Sequence, residues 1–334
     1  MELMETDAMF LLRRLIGADS VQTRIPGGPR KLVRKFGKKG PAKGQFNMVC
    51  GVTFTKTGDI IVADTENHRI QIFTDDGLFK LKFGQKGPDQ DKLNYPMCVV
   101  MTPDENIAVT DTVNARLKIF SQEGEFVREH GDDGVFDFPY GLAMSSDGWF
   151  VVTDICKHNV TVLNPEGGVY TQFGSYGDGP LEFDHPYYVA IDKNKQIIVS
   201  DNGNTCVKFF TFDGQPIQTF NMADFKLHEE HFISLQGLCI DSDNNIIIIG
   251  NNTVYILAIN GRFWEIILPR EGVTSPKCIA FSPSGYLVLT QSNLGQAHEV
   301  LVFNYNMADF RSLHMLPLSV MSASSTSGNG NSSS

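Results

Sequence analysis

The chain has 334 residues, of which 42% are hydrophobic and 20% charged, the composition of a globular protein rather than a disordered one. A formal net charge of -10 excludes indiscriminate nucleic-acid binding by the whole surface but leaves room for one basic patch. No apolar run is long enough to cross a bilayer as a helix, so no membrane partner is expected.

Residues 1–30 read as a linker with one short amphipathic helix over Glu5–Ile16, and Pro26-Gly27-Gly28-Pro29 separates it from the rest of the chain. The apolar stretch Met9–Leu12 is cut short by Arg13 and Arg14, so a signal peptide is not expected. From Lys31 a repeat begins, seen most clearly between Gly58 and Gly84. There Ile60–Ala63 is an apolar run ending in Asp64, Arg69–Phe73 a second strand, Asp76-Gly77 a tight hairpin turn, and Leu78–Phe83 a third strand. So small a unit has open edges and two faces to cover, and it needs copies of itself.

The chain supplies five further copies. Outer strands end at Phe36-Gly37, Phe83-Gly84, His130-Gly131, Phe173-Gly174, Phe220-Asn221 and Leu268-Pro269. The next strand is announced by Met48-Val49-Cys50, Pro96-Met97-Cys98, Pro139-Tyr140-Gly141, Pro186-Tyr187-Tyr188, Leu235-Gln236-Gly237 and Pro276-Lys277-Cys278. The second strand then ends on Asp64, Asp111, Asp154 or Asp201, with Gly250-Asn251 and Thr290-Gln291 in the last two copies. Six copies at roughly 40 to 50 residues, each worth four short strands, predict an all-β, six-bladed β-propeller over 31–305. Asn244–Gly250, almost all Ile, is expected to be buried on both faces.

Copies one to five carry a turn after their third strand, as at Asp76-Gly77 and Glu123-Gly124, whereas copy six has none after Val300–Phe303. Leu32–Phe36 is a spare outer strand, and its pairing into the last blade would close the ring. Residues 306–334 form a C-terminal extension, rich in Ser, Gly and Asn and expected to be disordered from about 319. Of the six cysteines, none forms a CxxC pair, which points to buried small hydrophobes in a reducing cytosol.

The copies around Val62-Ala63-Asp64-Thr65-Glu66-Asn67-His68-Arg69-Ile70-Gln71-Ile72-Phe73 resemble NHL repeats. The string of six resembles the C-terminal propeller of tripartite-motif NHL proteins, particularly the group of the fly brain tumor protein. That resemblance implies a monomeric, cytoplasmic binding platform that recognises single-stranded RNA, as in messenger 3′ regions, for post-transcriptional repression. The alternative it leaves open is a protein-interaction module selecting partners for a ubiquitin ligase whose RING lies outside this chain.

Loops joining outer to inner strands gather on one face with the turns around Thr65–His68. That face is basic in blades one and two, through Lys38, Lys39, Lys43, Lys86 and Lys92, and acidic in blades three and four, through Asp132, Asp133, Asp178, Glu182 and Asp184. Tyr95, Tyr140, Tyr187 and Tyr188 stand before or within the first inner strands, where exposed rings could stack bases; packing against the neighbouring blade is the other reading. Asn67, His68, Arg69, Arg116 and Lys157 complete the candidate contacts, although Arg69 and Arg116 lie five residues after Asp64 and Asp111 and suit structural Asp–Arg pairs. The channel-side strands offer few carboxylates or imidazoles, so no catalytic residue, metal ligand or cofactor is expected.

Overall fold

The second strand of each blade shows most directly how the residues dictate the fold. Ile60–Asp64, Ile107–Asp111, Phe150–Asp154, Ile197–Asp201 and Ile246–Gly250 are buried at every position. β-branched runs of this kind suit a strand covered on both faces. The outer strand Phe79–Phe83 instead alternates between half-buried and exposed, as a strand with one wet face should.

The computed structural model describes residues 32–131, 134–222, 234–257, 272–293 and 297–305, and the backbone of 263–267. Six four-stranded antiparallel sheets form the ring. Strands a to d of blade 1 are Val49–Phe54, Ile60–Asp64, Arg69–Phe73 and Phe79–Phe83; those of blade 2 are Pro96–Met101, Ile107–Asp111, Arg116–Phe120 and Phe126–His130. Blade 3 has Pro139–Met144, Phe150–Asp154, Asn159–Leu163 and Val169–Phe173, and blade 4 has Pro186–Ile191, Ile197–Asp201, Cys206–Phe210 and Pro216–Asn221. Blade 5 has Leu235–Ile240, Ile246–Gly250, Thr253–Leu257 and Phe263–Ile267.

Blade 6 takes three strands, Pro276–Phe281, Tyr286–Ser292 and His298–Asn304, from the end of the chain and its fourth, Leu32–Phe36, from the start. The register sets Leu32 opposite Phe303, Lys35 opposite Leu301 and Phe36 opposite Val300. Lys35 pairs with Glu299 at 3.1 Å, and the Phe36 ring lies 4.9 Å from Phe73 of blade 1. The closing strand therefore binds both blades it joins, and the ring has no open edge at this seam.

One apolar cluster runs through all six blades, including Val52, Leu117, Leu142, Tyr188, Leu238 and Cys278. Hydroxyls on strand b add polar links between blades: Thr110 Oγ1 donates to Tyr140 O at 2.9 Å, and Thr153 Oγ1 to Tyr187 O at 2.8 Å. Strand a of blade 1 pairs Val49 with Asp64, as Pro96 pairs with Asp111, so its true counterpart of Pro96-Met97-Cys98 is Val49-Cys50-Gly51, one residue later than the sequence pattern indicates. Near the axis space is tight: a Cβ on Gly141 would collide with the Tyr187 carbonyl of the next blade.

Cys50, Cys98, Cys206 and Cys278 are buried, Cys239 is half-buried, and Cys156 is exposed in a turn, outside the buried pattern expected of the set. The opening helix, the C-terminal extension, and Asp132 and Asp133 lie outside the described residues. Among the described residues, no helix is long and apolar enough to cross a membrane.

Candidate binding face

The d–a loops and b–c turns meet on one face, and a side chain at or within one residue of the end of strand b ties them together. Asp64 Oδ1 accepts the Asn47 N–H at 2.7 Å, and Asp111 Oδ1 accepts that of Asn94 at 2.6 Å. Asp154 takes the Asp137 N–H at 2.7 Å and Asp201 that of Asp184 at 2.8 Å. In blades 5 and 6, Asn251 and Gln291 do the same for Ser234 and Thr274, at 2.8 and 3.1 Å. A side-chain oxygen thus holds the incoming loop by an N–H 17 residues earlier in every blade.

In blades 1, 2 and 4 a buried cation neutralises that carboxylate and directs its remaining donors at the loop. Arg69 pairs with Asp64 at 2.7 Å and donates to the carbonyls of Pro41, Ala42 and Gln45. Lys118 pairs with Asp111 at 2.9 Å and reaches Asp89 O and Lys92 O. Lys208 pairs with Asp201 at 2.9 Å and donates to Gly179 O and Glu182 O. Burial raises the Asp64 carboxyl above the usual carboxylate range, partly offset by the Asn47 N–H, Asn67 and Arg69. Removing one of these cations would leave an uncompensated buried charge, which is strongly destabilising. The buried Asp154 of blade 3 is satisfied differently, by the N–H groups of Asp137, Phe138, Cys156 and Lys157.

Asn67, Asn114 and Asn204 add a further strap, each donating to a glycine carbonyl of the loop, at Gly40, Gly87 and Gly177. Blade 3 uses a different residue: Lys157 Nζ donates to the carbonyls of Gly134 and Val135.

Histidines at the ends of these turns reach to the next blade. His68 Nδ1 accepts the Tyr95 N–H at 3.1 Å, His158 Nδ1 that of His185 at 3.2 Å, and His298 Nδ1 that of Met48 at 3.0 Å across the ring closure. Burial, foremost among the causes, holds His68 and His298 below the ordinary imidazole range. A neutral ring is what an acceptor nitrogen requires.

The predicted contact residues therefore divide. Asn67, His68, Arg69 and Lys157 are taken up in holding loops and blades, with His68 and Arg69 buried. Arg116 is half-buried opposite Asp111 in the register and donates to Ala115 O at 3.1 Å. Tyr140 and Tyr188 are buried, so neither presents a ring to solvent. Tyr140 stacks on the half-buried Tyr187 at 4.8 Å and meets Tyr188 edge-on at 5.4 Å, forming an aromatic joint between blades 3 and 4. Tyr95 is half-buried in an edge contact with His68, 4.8 Å between centroids. An exposed ring on this face is Tyr176, which is 68% exposed and occupies the loop position of Lys39 and Lys86. The repeated Phe-Gly-x-x-Gly spacing is the sequence signal that could have located it.

Lys38, Lys39, Lys43 and Lys86 are exposed, and among the described residues none makes an ion pair. Lys43 lies 5.6 Å from the Phe79 ring. Lys92 is paired with Asp89. On the opposite face, where a–b turns meet the neighbouring blade, Lys56 pairs with Glu105 at 2.8 Å and Lys195 with Asp147 at 2.6 Å, while Lys193 donates to the Ser242 carbonyl. The blade 1 loop thus presents Lys38, Lys39 and Lys43, whereas in the blade 2 loop the exposed Asp89 and Asp91 stand beside Lys86 and Lys92.

Comparison with known proteins fits this architecture. An NHL repeat family model matches residues 46–73. The human E3 ubiquitin-protein ligase TRIM32 is 26% identical over 305 residues, covering 82% of this chain and 44% of that protein, so the chain spans less than half the length of that relative. Protein brain tumor from Drosophila melanogaster is 56% identical over 46 residues, 14% of this chain and 4% of that protein. Among solved structures, a streptogramin B lyase superposes with a TM-score of 0.60 at 15% identity, covering 82% of this chain and 97% of the other, a likeness of fold alone. The six-bladed ring carries an NHL repeat at residues 46–73 and is similar in sequence to tripartite-motif NHL proteins such as TRIM32 and brain tumor.

Proposed function

We propose that this propeller binds short single-stranded RNA along the basic arc of blades 1 and 2, with Lys38, Lys39, Lys43 and Lys86 as its phosphate contacts. The observation that carries this reading is that these lysines are exposed and unpaired among the described residues, whereas Lys56 and Lys195 on the opposite face are paired with carboxylates. Phosphates recruit free lysines, and affinity built this way is lost as salt rises. Tyr95, half-buried with its ring edge-on to His68, and the half-buried Tyr187 are the rings of the predicted set left to meet a base. Such binding would serve post-transcriptional repression of messenger RNA in the cytoplasm, by holding the RNA to regulatory proteins.

A second reading is a protein-interaction module that selects partners for a ubiquitin ligase. It is favoured by the burial of Tyr140 and Tyr188, which removes two of four stacking rings, and by the long alignment with TRIM32. Selection of the chain against a randomised single-stranded RNA pool at about 50 and 200 mM salt separates the two. With four lysine contacts, affinity should drop roughly 50-fold between those concentrations. An absence of enrichment at both, with a protein partner captured through a salt-insensitive surface, would overturn the RNA reading.

A further inference from the structure

The seam between blades 3 and 4 carries on the same face a cluster that the other histidine seams lack. His158 stands where His68 and His298 stand, each accepting an N–H from the following blade. That role explains one histidine, but the two residues it faces also change. Asn94-Tyr95 and Asn47-Met48 at the other seams become Asp184-His185 here. His185 Nδ1 lies 2.6 Å from Asp184 Oδ1, and the two imidazole centroids are 5.0 Å apart. Gly203 makes room for the carboxylate, since a Cβ there would collide with Asp184 Cγ.

We propose that His158, Asp184 and His185 form a binding site for a divalent transition metal of the zinc class. One donor atom from each lies within 4.8 Å of the others. Two imidazoles and a carboxylate suit Zn²⁺, Co²⁺ or Ni²⁺, whereas Mg²⁺ and Ca²⁺ prefer all-oxygen sites. Tetrahedral coordination with bonds of about 2.0–2.2 Å brings donors closer than this, and His185, with a side chain 52% exposed, has room to swing inward. A fourth position would stay open to water or to an acidic group of a bound partner.

A neutral imidazole has one lone pair, so His158 must release the His185 N–H when it takes a metal through the same nitrogen. That bond is the longest of the three at 3.2 Å and lies at an exposed position, where water can replace it. His158 and His185 stand 27 positions apart, which hides this cluster from any search for short ligand spacings.

The test uses the full chain stripped with chelator and titrated with Zn²⁺ by calorimetry and with Co²⁺ by visible absorbance. One equivalent is expected to bind, giving a tetrahedral Co²⁺ spectrum, with excess Mg²⁺ failing to compete. The variants H158N and H185N should each weaken binding at least about tenfold, and Asp184→Asn should weaken it too, while H68N should not. Unchanged melting temperatures for H185N would show that the fold is retained. Absence of stoichiometric binding, or binding that survives in the H158N/H185N double variant, would overturn the assignment.

Discussion

Blades 1, 2 and 4 fasten their loops with a buried carboxylate and a buried cation, while blades 5 and 6 do so with a neutral amide. Asp64 with Arg69, Asp111 with Lys118 and Asp201 with Lys208 are the charged form; Asn251 and Gln291 the neutral one. Both forms keep the hydrogen bond to an N–H 17 residues earlier, so that bond is the constant requirement and charge is an elaboration of it. The elaboration uses up the residues that look most like a binding motif. Function is therefore to be sought in side chains that differ between blades at equivalent positions, such as Lys39, Lys86 and Tyr176.

The sharpest way to break this comparison is to remove one cation. Lys118→Met or Lys208→Met leaves a carboxylate buried without its partner and should cost about 3–5 kcal/mol, read by denaturant or thermal unfolding. Adding Asp111→Asn to Lys118→Met should recover part of that loss, because the amide keeps an acceptor for the Asn94 N–H and removes the charge. A double variant no more stable than the single would show that the cation acts through its loop carbonyls instead.

The neutral form should be less sensitive. Asn251→Ala orphans the Ser234 N–H and should cost about 1 kcal/mol. A loss as large as that of Lys118→Met would erase the distinction between the two kinds of blade.

A smaller effect belongs to the histidine seams. His68 and His298 have folded-state pKa values lowered by burial, so the unfolded chain takes up protons first as pH falls. Stability from these rings is complete above about pH 6.5 and is lost as pH drops through the lower folded-state values. The H68N/H298N variant should show a flatter stability profile between about pH 6.5 and 5. An unchanged slope would assign that pH dependence to other groups.

The fold is legible in the sequence because a propeller repeats: the strand-ending Asp residues, the hairpin turns and the spare strand Leu32–Phe36 all stand out against a period. The clamp is half legible. The spacing of Asp64 and Arg69 suggests their pair, but Lys118 and Lys208 sit at strand positions whose polar side chains read as a wet face. In the folded ring the incoming loop covers that face, and its carbonyls receive the ammonium groups. The same covering loop takes up Asn67, and the following blade takes up His68 through the Tyr95 N–H, so both look available in the sequence and are not. Tyr140 and Tyr188 depart from the expected exposure for a related reason: both faces of an inner strand are closed by neighbouring blades, which no single-strand pattern records. Loop lysines such as Lys38 and Lys86 have no tertiary element above them, so their exposure is readable from the sequence.

The measurement that bears most directly on function is RNA affinity of the K38E/K39E/K86E variant beside the unaltered chain, across a salt series and with melting temperatures matched. The basic arc requires binding to weaken by at least about tenfold and the salt slope to shrink by roughly 2, the share of three phosphate contacts. Equal affinity and an equal slope in a folded variant would contradict it and move the search for ligands to the histidine and tyrosine seam of blades 3 and 4.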